Sequence, residues 1–135
     1  AELAVADLHA GLAFEDARFD AVLCALIGEH LRDLDRPLAE FARVLVPGGR
    51  LVFSVYHPDL AAAGKEANFA RAGVEYRLGA ERHTLAEYES ALEGAGFTRV
   101  EREVFAVDAE LARTLPNAAR YVGVPQLVLW RAWRR

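Results

Sequence analysis

The sequence predicts an α/β fold built around one helix that connects two parallel, buried strands. Residues 21–26 and 51–56 form two short, almost entirely apolar runs, and continuous runs of this length are typical of strands covered on both faces. Between the two runs, apolar residues recur at the spacing of a single helical face, namely Leu34, Leu38, Phe41, Ala42 and Leu45. The order strand, helix, strand therefore predicts a β-α-β unit with a right-handed crossover.

The limits of the central helix are predicted by its flanking residues. Asp35 is placed to cap the helix start, and Pro37 follows in the first turn, where the missing N–H of proline is not needed. Residues 47–49, a Pro-Gly-Gly sequence, predict its end, because proline cannot continue a helix and glycine accepts a positive φ.

The segments on either side of this unit are predicted in turn. Residues 3–8 have the apolar composition of a strand that ends close to Asp7. After the second strand, residues 59–72 are expected to form an alanine-rich helix capped by Asp59. Residues 73–79 then predict a short strand or an extended lid.

The last third of the chain carries a clear helix signal. Thr84 and Glu87 form a capping box, which predicts a helix that starts at Thr84. Apolar residues follow at helical spacing, and the glycines within 94–97 predict its end. Three further elements complete the prediction: a strand over 100–105, a short helix over 108–115 and a final strand over 127–133.

Composition limits the classes of protein to which the chain can belong. The 135 residues suffice for a single domain, residues 1–135, and no apolar run approaches the length of a membrane span. The one cysteine, Cys24, excludes an internal disulfide framework, so a cytoplasmic location is expected. The net charge is −4 with basic and acidic residues interspersed, so neither a nucleic acid nor a membrane is predicted as a partner.

Two stretches of the chain resemble the middle of a class I S-adenosylmethionine-dependent methyltransferase. They are FDAVLCALIGEHL (19–31) and LAEFARVLVPGGRLVFS (38–54), and the specificity lies in their occurring in this order. The resemblance implies a Rossmann-like, partly parallel sheet with strand order 3-2-1-4-5-7-6. In that arrangement the last strand is antiparallel and lies between the fifth and sixth strands.

The glycine-rich turn of that family, G-x-G-x-G, does not occur in this sequence. We therefore expect a domain truncated at the N-terminus, a carboxyl-terminal portion with an incomplete cofactor pocket. The strand predicted over residues 3–8 would then lack a neighbour. We expect it to move beside residues 21–26, to be loosely held, or to pair with another copy through the exposed sheet edge.

The resemblance also implies S-adenosylmethionine as the cofactor. By position, Asp7 and Leu8 would bind its adenine. The residues that would line its methionine and sulfonium end are Cys24, Ala25, Leu26 and His30. For His30, packing against its own loop is an equally good interpretation. A lone cysteine in an apolar strand is usually a small core residue, so Cys24 is not favoured as a nucleophile. No metal site is predicted.

In small-molecule members of the family, the region after the fifth strand closes over the methyl acceptor. The candidate acceptor-binding residues implied here are Glu29, Tyr56, Tyr76 and Tyr88. His57 and His83 are candidate general bases, since imidazole titrates near pH ~6.5. A base is needed only for a hydroxyl or a protonated amine acceptor. For each aromatic residue, a purely structural role stays an alternative.

Two other functions belong to different classes. One is a non-catalytic α/β interaction module that completes the sheet of a partner protein through an open edge. The other is a dinucleotide-dependent reductase, which is disfavoured because its fingerprint glycines are also missing. The leading prediction is therefore a small-molecule methyltransferase.

Overall fold

A mixed four-stranded sheet forms the centre of the protein, whose computed structural model describes residues 3–65 and 67–135. Its strands are β1 (Phe19–Ala25), β2 (Leu45–Tyr56), β5 (Phe97–Ala106) and β6 (Pro125–Arg134). Two more strands, β3 (Asn68–Arg71) and β4 (Val74–Arg77), form a separate two-stranded sheet. The helices are α1 (Asp35–Val44), α2 (Pro58–Ala62), α3 (Leu85–Gly94) and α4 (Ala109–Thr114), with 3-10 turns at Gly28–His30 and Pro116–Tyr121. Within the two described stretches, no helix combines the length and the apolar character needed to cross a bilayer.

The predicted β-α-β unit is confirmed. β1 and β2 run parallel, with Cys24 opposite Phe53, and α1 connects them. The apolar face predicted for the helix is buried throughout, and Leu38 and Leu45 have no exposed surface at all. The helix therefore packs on the sheet through the residues that its periodicity selected.

The predicted cap of α1 was wrong by one residue. Leu34 occupies the N-cap position, and the Asp33 carboxylate accepts the backbone N–H of Asp35 at 3.0 Å. An aspartate that binds the N–H two residues on forms an Asx turn. Asp33, rather than Asp35, thus supplies the capping oxygen.

The helix also ends before the Pro-Gly-Gly sequence, at Val44, and residues 46–49 form a bulge at the start of β2. Phe19 pairs with Leu45, whereas Ala21 already pairs with Arg50. The bulge requires glycine at position 49, because a Cβ there would lie 2.8 Å from the Val46 carbonyl oxygen. The Pro-Gly-Gly sequence therefore shapes the strand entry rather than the helix end.

The order and direction of the remaining sheet strands are confirmed. The sheet order is β1-β2-β6-β5, and β6 is antiparallel to both of its neighbours. This is the 4-5-7-6 part of the family order, with the last strand inserted next to β2.

An aromatic cluster joins this sheet to α3. Phe53 of β2, Trp130 of β6 and Tyr88 of α3 lie with ring centroids 5.2–5.8 Å apart. All three are almost fully buried. The capping box predicted at Thr84 is present and fixes the start of α3, so Tyr88 reaches the sheet one turn later.

Residues 3–8 do not form the predicted strand. Leu3 and Val5 are almost fully exposed, and only Leu8 packs against the core. Among residues 3–65 and 67–135, β1 pairs only with β2, so no ladder beside residues 3–8 holds them extended. Apolar composition alone does not fix a strand without a partner.

The long helix predicted over residues 59–72 was also wrong. α2 is a five-residue helix capped by His57, whose Nδ1 accepts the Asp59 N–H at 3.3 Å. The chain then enters the hairpin of β3 and β4. Ala72 and Gly73 both have positive φ at the turn, the geometry that matches the twist of a two-residue hairpin. For residues 73–79 the prediction was a short strand or an extended lid, and the structure has the short strand β4 within this range.

Two side chains of α1 hold the loop that precedes β1. Glu40 accepts the Leu12 N–H at 2.7 Å and binds the Arg43 guanidinium at 2.8 Å. Arg43 in turn donates to the carbonyls of Leu12 and Phe14. The loop is therefore attached to the sheet by α1 rather than by a strand of its own.

We predict that Glu40 makes folding sensitive to acid. The hydrogen bonds from Arg43 and from the Leu12 N–H lower the pKa of Glu40 from 4.5 to about 2. A lowered folded-state pKa adds stability that is present above the ordinary pKa and is lost as the pH falls towards about 2. In Glu40→Gln, the urea midpoint should fall less between pH 4.5 and pH 2 than in the wild type. Glu93→Gln, at an exposed position of α3, should follow the wild type, and identical profiles for all three proteins would contradict this role.

A pair of glycine variants tests the bulge. Gly49→Ala should lower the free energy of unfolding by about 1–3 kcal/mol, because the new methyl group overlaps the Val46 carbonyl. Gly94→Ala meets nothing within 4 Å at the end of α3, so it should be neutral or raise that free energy by up to about 1 kcal/mol. Urea unfolding measures both, and equal effects would refute the close approach at position 49.

Candidate functional site

The carboxyl ends of β1 and β2 lie at the same edge of the sheet, since the two strands are parallel. β1 ends at Ala25 and leads into the turn Gly28–His30, and β2 ends at Tyr56, just before α2. Open α/β sheets bind their ligands at this edge.

The turn after β1 rests directly on β2. A Cβ at Gly28 would lie 2.4 Å from the Phe53 ring and 2.6 Å from the Val55 side chain. No side chain fits between these atoms, so glycine allows the turn to touch the sheet. The contact brings Glu29 over the end of the core.

Residues 78–83, which we call the strap, cross over this turn. Three hydrogen bonds of 2.7–3.0 Å connect the strap to three consecutive residues after β1. The pairs are His30 Nδ1 with the Gly79 carbonyl, the Glu81 N–H with the Glu29 carbonyl, and His83 Nε2 with the Leu31 carbonyl. The strap therefore closes the edge of the sheet above Glu29.

Glu29 is a buried acid without a partner. Only 5% of the residue is exposed, and neither carboxylate oxygen has a hydrogen bond among the described residues. Two effects raise the pKa of Tyr88 above its ordinary value. The larger is the burial of Tyr88 itself, and the second is the negative charge of Glu29. Tyr88 is accordingly a neutral phenol at physiological pH.

The side chain of Glu29 borders a small cavity of about 20 Å³. Its other walls include Tyr56, Pro58, His83 and Tyr88. The cavity shares Tyr56, Lys65 and Ala67 with a more open groove of about 220 Å³ that Leu60, Tyr121 and Gln126 complete. An inner cavity and an outer groove thus share a wall at this edge of the sheet.

Most of the predicted acceptor-binding residues meet at this cavity. The wall contains Glu29, His30, Tyr56, His83 and Tyr88, although the sequence resemblance had assigned His30 to the cofactor. Tyr88 is only 2% exposed, and its ring meets His83 edge-on at 5.4 Å.

Two predicted residues lie elsewhere. His57 is buried and uses Nδ1 as the cap of α2, and Tyr76 stacks on Phe69 at 4.9 Å in the β3–β4 hairpin. Neither belongs to the cavity wall. A catalytic role for His57 and a substrate-binding role for Tyr76 stay predictions without support from their positions.

The residues predicted to bind the cofactor are separated in the structure. Asp7 lies in the N-terminal loop, where its carboxylate accepts the His9 N–H at 2.9 Å, and Leu8 packs in part against the core. Ala25 and Leu26 are exposed at the end of β1. Apart from His30, none of the predicted cofactor residues belongs to the cavity wall.

Cys24 points into the core instead of the site. Burial, followed by the charge of Glu29, raises the pKa of the Cys24 thiol from 9.0 to about 11. The thiol is therefore neutral near pH ~7, whereas a cysteine nucleophile has to be a thiolate. This agrees with the interpretation of Cys24 as a core residue.

Sequence reasoning missed the outer groove. Lys65 donates to the Tyr121 hydroxyl and lies 4.1 Å from the centre of its ring. The hydrogen bond from Lys65 lowers the pKa of Tyr121. These residues are 56 positions apart, and no spacing or motif connects them in the sequence.

Comparisons with known proteins agree with this architecture. Residues 1–53 match the methyltransferase domain family. Over 47 residues the chain is 49% identical to demethylmenaquinone methyltransferase of Deinococcus radiodurans, which is 35% of this chain and 20% of that protein. Over 54 residues it is 39% identical to the chloroplastic tocopherol O-methyltransferase of Arabidopsis thaliana, 40% of this chain and 16% of that protein.

A solved structure extends the likeness along the chain. The S-adenosylmethionine-dependent methyltransferase from Mesorhizobium loti superposes with a TM-score of 0.74 at 23% identity, over 96% of this chain and 67% of that one. At this identity the likeness concerns the fold. Residues 1–53 thus match the methyltransferase domain family, and the chain has the fold of the class I S-adenosylmethionine-dependent methyltransferases.

Proposed function

We propose that the chain is the acceptor-binding part of an S-adenosylmethionine-dependent methyltransferase that acts on a small molecule. The family match over residues 1–53 carries this proposal, because it spans β1, α1 and most of β2. The two curated relatives are named for small acceptors, demethylmenaquinone and tocopherol. The small cavity at the carboxyl ends of β1 and β2, together with the adjoining outer groove of about 220 Å³, supports a small acceptor here as well.

Residues at the end of β1 suit the proposed cofactor. Ala25, Leu26 and Ile27 expose apolar surface at and just after the end of β1, and Asp7 offers an exposed carboxylate that can accept a hydrogen bond from an amino group. Asp7, Leu8, Ala25 and Leu26 would hold S-adenosylmethionine. When bound, this cofactor supplies an electrophilic methyl group on its sulfonium.

The residues of the cavity would position the acceptor and exclude water. Positioning of this kind lowers a transfer barrier by up to ~7–11 kcal/mol. His83 is the better supported of the two candidate bases. Its Nε2 donates to the Leu31 carbonyl, so Nδ1 of the neutral ring can accept a proton from the acceptor. Nδ1 of His57 already accepts the Asp59 N–H at the start of α2. It would have to lose this hydrogen bond before it could accept a proton from the acceptor.

Titration with S-adenosylhomocysteine tests the proposed function. The chain contains no G-x-G-x-G turn, so we expect weak binding, with a Kd on the order of 1 mM. In ¹⁵N-labelled protein, the amide shifts should concentrate at residues 7–8 and 24–26. Asp7→Asn should weaken the binding, and Glu15→Gln, an exposed acid of the same loop, should leave it unchanged.

Two results of that titration would count against the proposal. Shifts confined to other parts of the chain, or none at saturating ligand, would remove the assigned cofactor site. NADH is the control ligand for a dinucleotide-dependent enzyme, and stronger shifts with NADH at the end of β1 would favour the reductase.

A second candidate function is an interaction module that completes the sheet of another chain, or of a second copy. The observation that favours it is the outer edge of β1, which pairs with no other described strand. On that strand Leu23 is 74% exposed. Exposed apolar edge strands are sites for strand addition.

The edge hypothesis predicts self-association that depends on Leu23. The sedimentation coefficient of the wild type should rise with concentration, and Leu23→Lys should keep the protein monomeric, because a charge on an edge strand opposes pairing. Leu111→Lys is the control, since Leu111 is an exposed leucine on α4. A wild type that stays monomeric at all concentrations, or an equal effect of both variants, would exclude pairing of copies through β1.

A further inference from the structure

The unpartnered carboxylate of Glu29 is the most unusual group in the cavity. It is buried, and neither of its oxygens has a hydrogen bond to any described residue. An ionised carboxylate removed from water is costly unless a cation or several donors compensate it. A buried polar group without a partner calls for an explanation, such as a catalytic role or a bound water molecule or ion, and a ligand group can take the same place.

The nearby cationic and imidazole groups are engaged with other atoms. His30 and His83 each direct one ring nitrogen to a backbone carbonyl of the strap or of the turn. Lys65 donates to the Tyr121 hydroxyl in the outer groove. Within residues 3–65 and 67–135, then, no group donates a hydrogen bond to the carboxylate of Glu29.

The size and walls of the cavity select the kind of partner. A volume of about 20 Å³ accommodates a group of about the size of one water molecule. An ammonium group has this size and offers up to three donors to the two carboxylate oxygens. The rings of Tyr56 and Tyr88 line the same space, and aromatic faces attract cations.

We propose that Glu29 binds a protonated amino group of the methyl acceptor, which is therefore a small cationic amine rather than a neutral quinol or phenol. This inference rests on the proposed methyltransferase function. The ammonium group occupies the inner cavity, and the rest of the acceptor extends past Tyr56 into the outer groove. Lys65, which lines both the cavity and the groove and donates to the Tyr121 hydroxyl, disfavours a second cation on the acceptor.

The test compares two ligands that differ in one group. The probes are 2-phenylethylammonium and its neutral analogue 2-phenylethanol, titrated into the ¹⁵N-labelled chain. The cation should bind at least about tenfold more tightly, with shifts at residues 29–31 and 79–83. Glu29→Gln should remove that preference. Glu93→Gln, at an exposed position of α3 outside the cavity wall, should retain it.

The stability of the free protein supplies an independent measurement. If Glu29 has no partner, Glu29→Gln removes a buried charge, and the urea midpoint should stay equal or rise. An equal fall in the midpoint for Glu29→Gln and Lys65→Gln would reveal an ion pair inside the protein and would overturn the inference.

The remaining outcomes separate this inference from the proposed function. S-adenosylhomocysteine shifts at the end of β1 without any preference for the cation would overturn the amine acceptor alone. A cation preference without those shifts would support the ammonium site and overturn the methyltransferase. Another outcome is that the chain binds S-adenosylmethionine more tightly than S-adenosylhomocysteine through Glu29, with no preference for the amine over its neutral analogue. That result would mean that Glu29 faces the sulfonium, and it would also overturn the inference.

Discussion

Parallel pairing of β1 with β2 is the constraint on which the site depends. Cys24 lies opposite Phe53, and this register places the ends of both strands, with the loops that follow them, at one edge. An antiparallel pair would have put Glu29 and Tyr56 at opposite ends of the sheet. The connection through α1 makes the parallel arrangement feasible, because two parallel strands need a crossover connection of about 12 residues or more.

The cavity depends on two close contacts above this edge. Gly28 lets the first turn touch Phe53 and Val55, and the strap then covers the turn through its hydrogen bonds to residues 29–31. Together they bury Glu29, and none of the described residues hydrogen-bonds to its carboxylate. Burial of an acid is unfavourable for folding on its own, which is the reason that we propose a ligand for Glu29.

Periodicity and capping signals predicted the elements whose stability is local or whose pattern is unambiguous. The apolar face of α1 and the capping box of α3 belong to this group. The predictions for residues 3–8 and 59–72 were wrong because the structure of these segments depends on distant partners. A strand needs a neighbouring strand, and pairing in a hairpin outweighs the helix propensity of alanine. By resemblance the sequence pointed to Glu29, His83 and Tyr88 at the acceptor site, but it did not point to Lys65 and Tyr121, whose meeting in the groove depends on the fold.

The way in which the strap is attached has a consequence for evolution. At least one partner in each of its three hydrogen bonds is a backbone atom, and backbone atoms are retained when side chains mutate. Positions 78, 80, 81 and 82 can therefore drift under selection for new ligands, while the strap keeps its position over the sheet. A lineage with this scaffold can change its chemical preferences by single substitutions and leave the core intact.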